Sequence, residues 1–151
     1  MRKIILAVAL SVAVSRCAFA APATEVIAPV KQFINGFNKG DTKSAIAACE
    51  ADMSIVDDFT PHEWHGPGAM AKWMHDYDID AKKHGITDGI VTLGTPWRVD
   101  VTGDRAYAVI PSQYVYKVKG KPVRETGAVL TAALHRGSGG WKITGWAWSR
   151  H

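Results

Sequence analysis

Ten consecutive positions, Asp57-Asp58-Phe59-Thr60-Pro61-His62-Glu63-Trp64-His65-Gly66, carry two paired carboxylates, two imidazoles, a phenyl ring and an indole. Acid–base groups interleaved with large apolar rings are the ingredients of a small-molecule pocket, which needs a dry wall and a few placed polar groups. Asp57 and Asp58 are the candidate bases. His62 and His65 are candidate proton carriers. The alternative is a solvated loop in which Asp57 accepts hydrogen bonds from the amides of its own turn and His65 bonds at a helix entrance. His62-x-x-His65 with one of the aspartates also offers two imidazoles and a carboxylate, a set that zinc or iron could use. That spacing on a loop is far less specific than two histidines one helical turn apart, and no third histidine is close in sequence. No metal and no cofactor is therefore expected.

The elements that must position this stretch follow from periodicity. Val26, Ile27, Val30, Phe33, Ile34 and Phe37 recur at helical spacing, and Pro29 places the regular start of that helix near itself. Gly40 falls just past its end, and Asp41 is placed to cap a second helix whose buried side is Ala45, Ile46, Ala48 and Cys49. Cys49 reads as a small core residue. Met53 to Asp57 has the look of a short strand delivering the pocket stretch. Pro67-Gly68 then precedes a third helix, striped by Met70, Trp73, Met74, Tyr77 and Ala81. Trp73 and Tyr77 are candidates for ligand contact as well as core, and His75, Asp76, Asp78, Lys82 and Lys83 form the polar side.

From Ile90 the period shifts towards two. Thr102-Gly103-Asp104 is a hairpin turn, and a long strand is expected from Arg105 to about Val118. Pro111 within it implies an edge or a bulge. Two more strands are expected over 123–136 and 141–149, joined by Gly137-Ser138-Gly139-Gly140. Strict alternation sets Trp146 and Trp148 opposite Trp141, which would leave indoles on the outer sheet face for a homodimer contact, unless a bulge at Gly145 turns all three inward. Three helices before a meander of long strands make an α+β fold, with the helices closing a strongly curved antiparallel sheet into a cone.

Length and charge narrow the classes. Of 151 residues, the first 20 read as a secretory signal peptide: Arg2 and Lys3, an apolar run from Ile4 to Val14, and Ala18-Phe19-Ala20 before the cut. Arg16 before Cys17 speaks against a lipid anchor on that cysteine. Residues 21–151 then form one domain, periplasmic or secreted, with no later stretch long and apolar enough to span a bilayer as a helix. The leader holds three basic residues and no acid, so the formal charge falls from +4 to +1 and gives no basis for nucleic-acid binding. Cys49 is left without an intramolecular disulfide partner.

Several pieces in order resemble the nuclear transport factor 2-like superfamily, and within it the SnoaL-like group. They are Phe37-Asn38-Lys39-Gly40-Asp41, Ile55-Val56-Asp57-Asp58, Trp64-His65-Gly66-Pro67-Gly68-Ala69 and Gly140-Trp141-Lys142-Ile143-Thr144. The resemblance spans about Ala28 to Ser149 and implies a cone with a cavity at its open end. It also implies a small, largely apolar ligand, aromatic or polyketide-like. Matching Asn38-x-Gly40-Asp41 to ketosteroid isomerases puts their base at Asp57, where desolvation strengthens a carboxylate. The same match puts their oxyanion-hole tyrosine at Phe33, and Val129-Leu130-Thr131-Ala132-Ala133 has no acid for the second donor. Steroid isomerisation is therefore not expected. Dehydratases and cyclases of the superfamily imply instead Asp57 with His62 or His65, and Tyr114 or Tyr116 as a carbonyl donor. The expected ligand wall is Phe33, Phe59, Trp64, Trp73, Tyr77, Tyr114 and Tyr116. The first reading is an exported pocket protein that binds such a ligand, its reaction undefined; that acid–base lyase or isomerase and a dimeric non-catalytic accessory domain are the alternatives.

Overall fold

A computed structural model describes residues 23–150. The proposed leader, with Cys17, lies outside the described residues. Helix α1 (Ala23–Lys39) runs into α2 (Thr42–Ala47), then strands β1 (Cys49–Val56) and β2 (Glu63–Pro67), then α3 (Ala69–His84). Strands β3 (Ile86–Leu93), β4 (Arg98–Thr102), β5 (Arg105–Val118), β6 (Lys121–Gly137) and β7 (Gly140–Ser149) complete the chain. The three helices therefore do not form one N-terminal block, because the β1–β2 hairpin stands between α2 and α3. Trp64-His65-Gly66-Pro67, expected as a loop and helix entrance, is a strand because its backbone pairs with Ser54 to Asp52 and Ile55 of β1. Glycine and proline there are tolerated because β2 is an edge strand.

The sheet order is β2-β1-β7-β6-β5-β3, with β4 also pairing β5. All pairings are antiparallel except β1 with β7, which is parallel. The sheet curves without closing and the helices lie across its concave side. Pro111 sits inside β5, between β6 and the outer strands, and not at an edge. Its missing N–H costs nothing there, because β5 changes partner at that point: Val109 still faces Arg98 of β4, whereas Ser112 faces Leu93 of β3.

Asp41 caps α2, its carboxylate accepting the Ser44 N–H at 3.0 Å. Pro29 does not start α1; the helix begins at Ala23, and the proline is buried on its inner face. Cys49 is buried, and burial pushes its thiol up to about 12, so it packs as a hydrophobe.

One register shift decides the tryptophans. Ala133 pairs with Gly145 but Leu134 pairs with Ile143, so Thr144 is an extra residue on β7. Gly145 lies so close to β1 that a Cβ would meet the Ser54 carbonyl oxygen at 3.1 Å. The bulge resets the alternation, and Trp141 and Trp146 are both buried in the core with Trp148 packed against it. The indoles therefore turn from the outer face into the core and the cavity wall. The exposed apolar side chains on that face include Val56 and Tyr107.

Candidate functional site

The cavity opens where α1, α3 and the concave sheet meet the turn after β1. Phe33, Ile34 and Phe37 reach it from the second half of α1, Trp73 and Tyr77 from α3, and Asp57, Asp58 and Phe59 from the turn. The sheet contributes Val91, Tyr114, Leu130, Trp146 and Trp148, enclosing about 80 Å³. Aromatic edges do most of the walling. Trp73 stacks on Tyr77 at 5.7 Å between centroids and meets Trp146 edge-on at 4.9 Å. Phe37 packs against Tyr77 at 5.0 Å.

Asp57 is the polar centre of this wall. Strand β1 ends at Val56, and the chain folds back through Phe59 to His62, so the Asp57 N–H donates to the His62 carbonyl at 2.9 Å. That turn directs the Asp57 side chain inward. The Asp58 N–H donates to Asp57 Oδ1 at 2.7 Å, and the Trp73 indole N–H donates to Oδ2 at 2.8 Å. Asp57 is 9% exposed. Burial among rings pushes its pKa up to about 7; the two hydrogen bonds pull against that shift, and the charge of Asp58 adds to it. A carboxyl with that proton affinity can both take and return a proton at neutral pH.

Two phenols complete the polar inventory. The Tyr77 and Tyr114 hydroxyls hydrogen-bond to each other across the space between α3 and β5. Burial raises both pKa values, so both phenols stay protonated and can donate. The Trp146 indole N–H is buried on the cavity wall and has no hydrogen-bond partner among the described residues. Among the described residues no lysine, arginine or histidine lines the cavity.

Of the residues singled out from sequence, Asp57, Asp58, Phe33, Phe59, Trp73, Tyr77 and Tyr114 come together. Trp64 does not line the cavity; it backs Phe59 at 5.0 Å and donates to Asp76 at 2.8 Å. Tyr116 lies one step beyond Tyr114, stacked on it at 4.6 Å, and its hydroxyl donates to Glu125 at 2.6 Å. His62 does not line the cavity either; its Nδ1 lies 3.2 Å from the Asp57 main-chain oxygen, with the backbone at φ 77°. His65 points outward from β2 to Ser54 Oγ at 3.2 Å and Glu63 at 3.3 Å. Strand alternation explains the split: Trp64 faces in, so His65 faces out. Among the described residues no three His, Cys, Asp or Glu side chains assemble as a metal site, and no helix is long and apolar enough to cross a membrane. The wall residues that sequence reasoning missed are Ile34, Phe37, Val91 and Leu130, and Trp146 and Trp148 join the wall by the inward turn that the Gly145 alternative allowed. Phe37 was findable, since it continues the Phe33 stripe by one turn.

The fold has counterparts among solved structures. No family model matches the sequence, and no curated relative does. A nuclear transport factor 2-like protein of Novosphingobium aromaticivorans is 17% identical with a TM-score of 0.67, covering 83% of this chain and 79% of its own. A hexachlorocyclohexane dehydrochlorinase of Novosphingobium barchaimii is 14% identical with a TM-score of 0.72, and 85% of each chain is covered. A ketosteroid isomerase-like protein of Erwinia carotovora is 15% identical with a TM-score of 0.65, covering 84% of this chain and 94% of its own. At these identities the likeness is one of fold, and the fold is that of the nuclear transport factor 2-like superfamily.

Proposed function

We propose that the protein binds a small, largely apolar, uncharged molecule, aromatic or polyketide-like, and that Asp57 acts on it as a general base in a lyase or isomerase reaction. The observation that carries this reading is the Asp57 carboxyl, buried in a ring of aromatic side chains with its proton affinity raised to about 7. Among the described residues the cavity wall holds two carboxyls and no cation, which favours an uncharged ligand over an anionic one.

The step is a proton abstraction next to a carbonyl. Asp57 takes the proton from carbon, and the C–H electron pair moves into the adjoining carbon–carbon bond as the carbonyl oxygen becomes an enolate oxygen. Tyr77 or Tyr114 supplies the hydrogen bond that this oxygen needs. Returning the proton to a different carbon is isomerisation; expelling a group from the β-carbon is elimination. The structural relatives include a dehydrochlorinase. His62 and His65 have no part in this step, because neither side chain lines the cavity.

The leader pattern supports export to the periplasm or beyond. A homodimer through the outer sheet face belongs to the same proposal, with Val56 and Tyr107 as its exposed apolar contacts.

Incubating the protein with uncharged aryl ketones in deuterated water, with binding followed by tryptophan fluorescence, tests the reading. Native protein is expected to quench saturably and to accelerate deuterium uptake at the carbon beside the carbonyl. Asp57→Asn is expected to bind and to lose the exchange. Saturable binding with no exchange by the native protein would reduce the function to a carrier's; no binding by any ketone would remove the pocket reading.

A further inference from the structure

Asp57 is not the only acid at the cavity. Asp58 follows it directly, and a second carboxylate at that distance has two consequences: it opposes ionisation of Asp57, and it puts a charge where an apolar ligand must pass. The fold places a cation to meet it. Just beyond the end of β7, Arg150 reaches back and pairs through Nε with Asp58. Its Nη1 pairs with Glu125 of β6, whose other contact is the Tyr116 hydroxyl at 2.6 Å. Tyr116 in turn stacks on Tyr114, the phenol of the cavity wall. One guanidinium thus ties the turn after β1 to β6, next to the rim of the site.

We infer that Arg150 is a positioning residue for Asp57: by pairing with Asp58 at the rim it compensates the second carboxylate and leaves Asp57 as the working acid of the cavity. This rests on the reading of Asp57 as the general base. The groups around Asp57 are few and can be enumerated. Asp58 faces it from the turn, Tyr77 from α3 with Tyr114 behind it on β5, and Glu125 stands farther out on β6. His62 meets Asp57 through the main chain, its ring at the Asp57 carbonyl oxygen and its own carbonyl at the Asp57 N–H. Trp73 supplies an uncharged hydrogen bond. Arg150 is the cation joined to this set, and its effect on Asp57 must travel through Asp58.

Such an effect has a signature that a merely structural tie lacks. The Trp73 indole is bonded to the Asp57 carboxyl, so tryptophan emission reports its protonation with no ligand present. A pH titration of native protein is expected to show a transition near pH 7 that is missing from Asp57→Asn. Arg150→Gln leaves Asp58 uncompensated and is expected to move that transition up by about half a pH unit or more. Arg150→Lys is expected to restore most of it. In an Asp58→Asn background, Arg150→Gln is expected to move the transition by less than about a third of its shift in the native background, because the charge it acts through is gone.

An unchanged transition in Arg150→Gln would overturn the inference. So would an equal shift with and without Asp58, which would mean that Arg150 acts on Asp57 directly or by loosening the site, and not through Asp58. Absence of any Asp57-dependent transition in the native protein would overturn it too. Should Arg150→Gln fail to fold, the comparison of native, Arg150→Lys and Asp58→Asn carries the same test: Asp58→Asn must lower the transition and Arg150→Lys must leave it near the native value. Because no ligand enters the titration, the inference can stand while the exchange assay fails, and the two results separate cleanly.

Discussion

The two halves of helix α1 face different interiors. Val26, Ile27 and Val30, in its first half, are buried in the core that also holds the aliphatic side chains of Ala106, Ala108, Leu134 and Ile143. Phe33 and Phe37, in its second half, belong to the cavity wall, where rings predominate and a carboxyl is buried among them. Aliphatic side chains interdigitate and leave little space, so the first interior stores stability. Rigid rings meeting edge to face cannot fill space as completely, and the gap they leave is the site. The same helix thus anchors the fold with one half and shapes a ligand space with the other.

Truncation at the packed end should hurt most. Leu134 is 1% exposed, and Leu134→Ala should cost about 2–5 kcal/mol of unfolding free energy in urea, since its neighbours cannot collapse into the space. Ligand affinity of the protein that remains folded should be near native. A large affinity loss at constant fold would mean that the two interiors are coupled.

At the cavity end the sign reverses. The Asp57 carboxyl in the folded protein holds its proton up to about pH 7, whereas in the unfolded chain it loses it near pH 4. Between those values the folded state binds the extra proton, so its contribution to stability falls as pH rises through the window and is flat above it. Asp57→Asn removes that slope. The variant should be more stable than native at pH 8 by up to about 4 kcal/mol, and much closer to it at pH 4. Urea midpoints at the two pH values check it. Equal pH slopes in the two proteins would show that Asp57 is not held neutral by burial.

Trp73→Phe sharpens the same point with a smaller effect. It keeps a ring in the wall and removes the donor to Asp57 Oδ2, a loss of about 1–2 kcal/mol. Because that hydrogen bond favours the carboxylate, its removal should raise the Asp57 transition further above pH 7, as read by carboxyl infrared absorption.

The contrast also explains what could be read in advance. Repeating local patterns were legible: the α1 and α3 stripes, the Asp41 cap, and the strand from Arg105 to Val118 all appear where their spacing puts them. Asp57 was legible as a carboxyl entering an aromatic stretch. Facing was not legible wherever it depends on a distant pairing. His65 turns outward because β2 pairs with β1, and Trp146 turns inward because Thr144 is extra against β6. The role of Arg150 was invisible for the same reason, since it meets Asp58 across more than ninety positions of sequence. A run of polar and aromatic residues says that a site can exist; pairing decides which of them enter it.

The smallest effect is the sharpest check on that last distinction. His65 and Glu63 are exposed on β2, and their contact at 3.3 Å is a surface pair screened by water and salt. His65→Ala should change stability by no more than about 0.5 kcal/mol and leave the Asp57 transition and ketone exchange at native values. The variant removes an imidazole eight positions from Asp57 in sequence and, by the structure, on the other side of the strand. A tenfold loss of exchange would place His65 in the reaction after all, and would require β2 to turn over when ligand binds. Native exchange in His65→Ala together with lost exchange in Asp57→Asn would assign the chemistry of this stretch to its inward face alone.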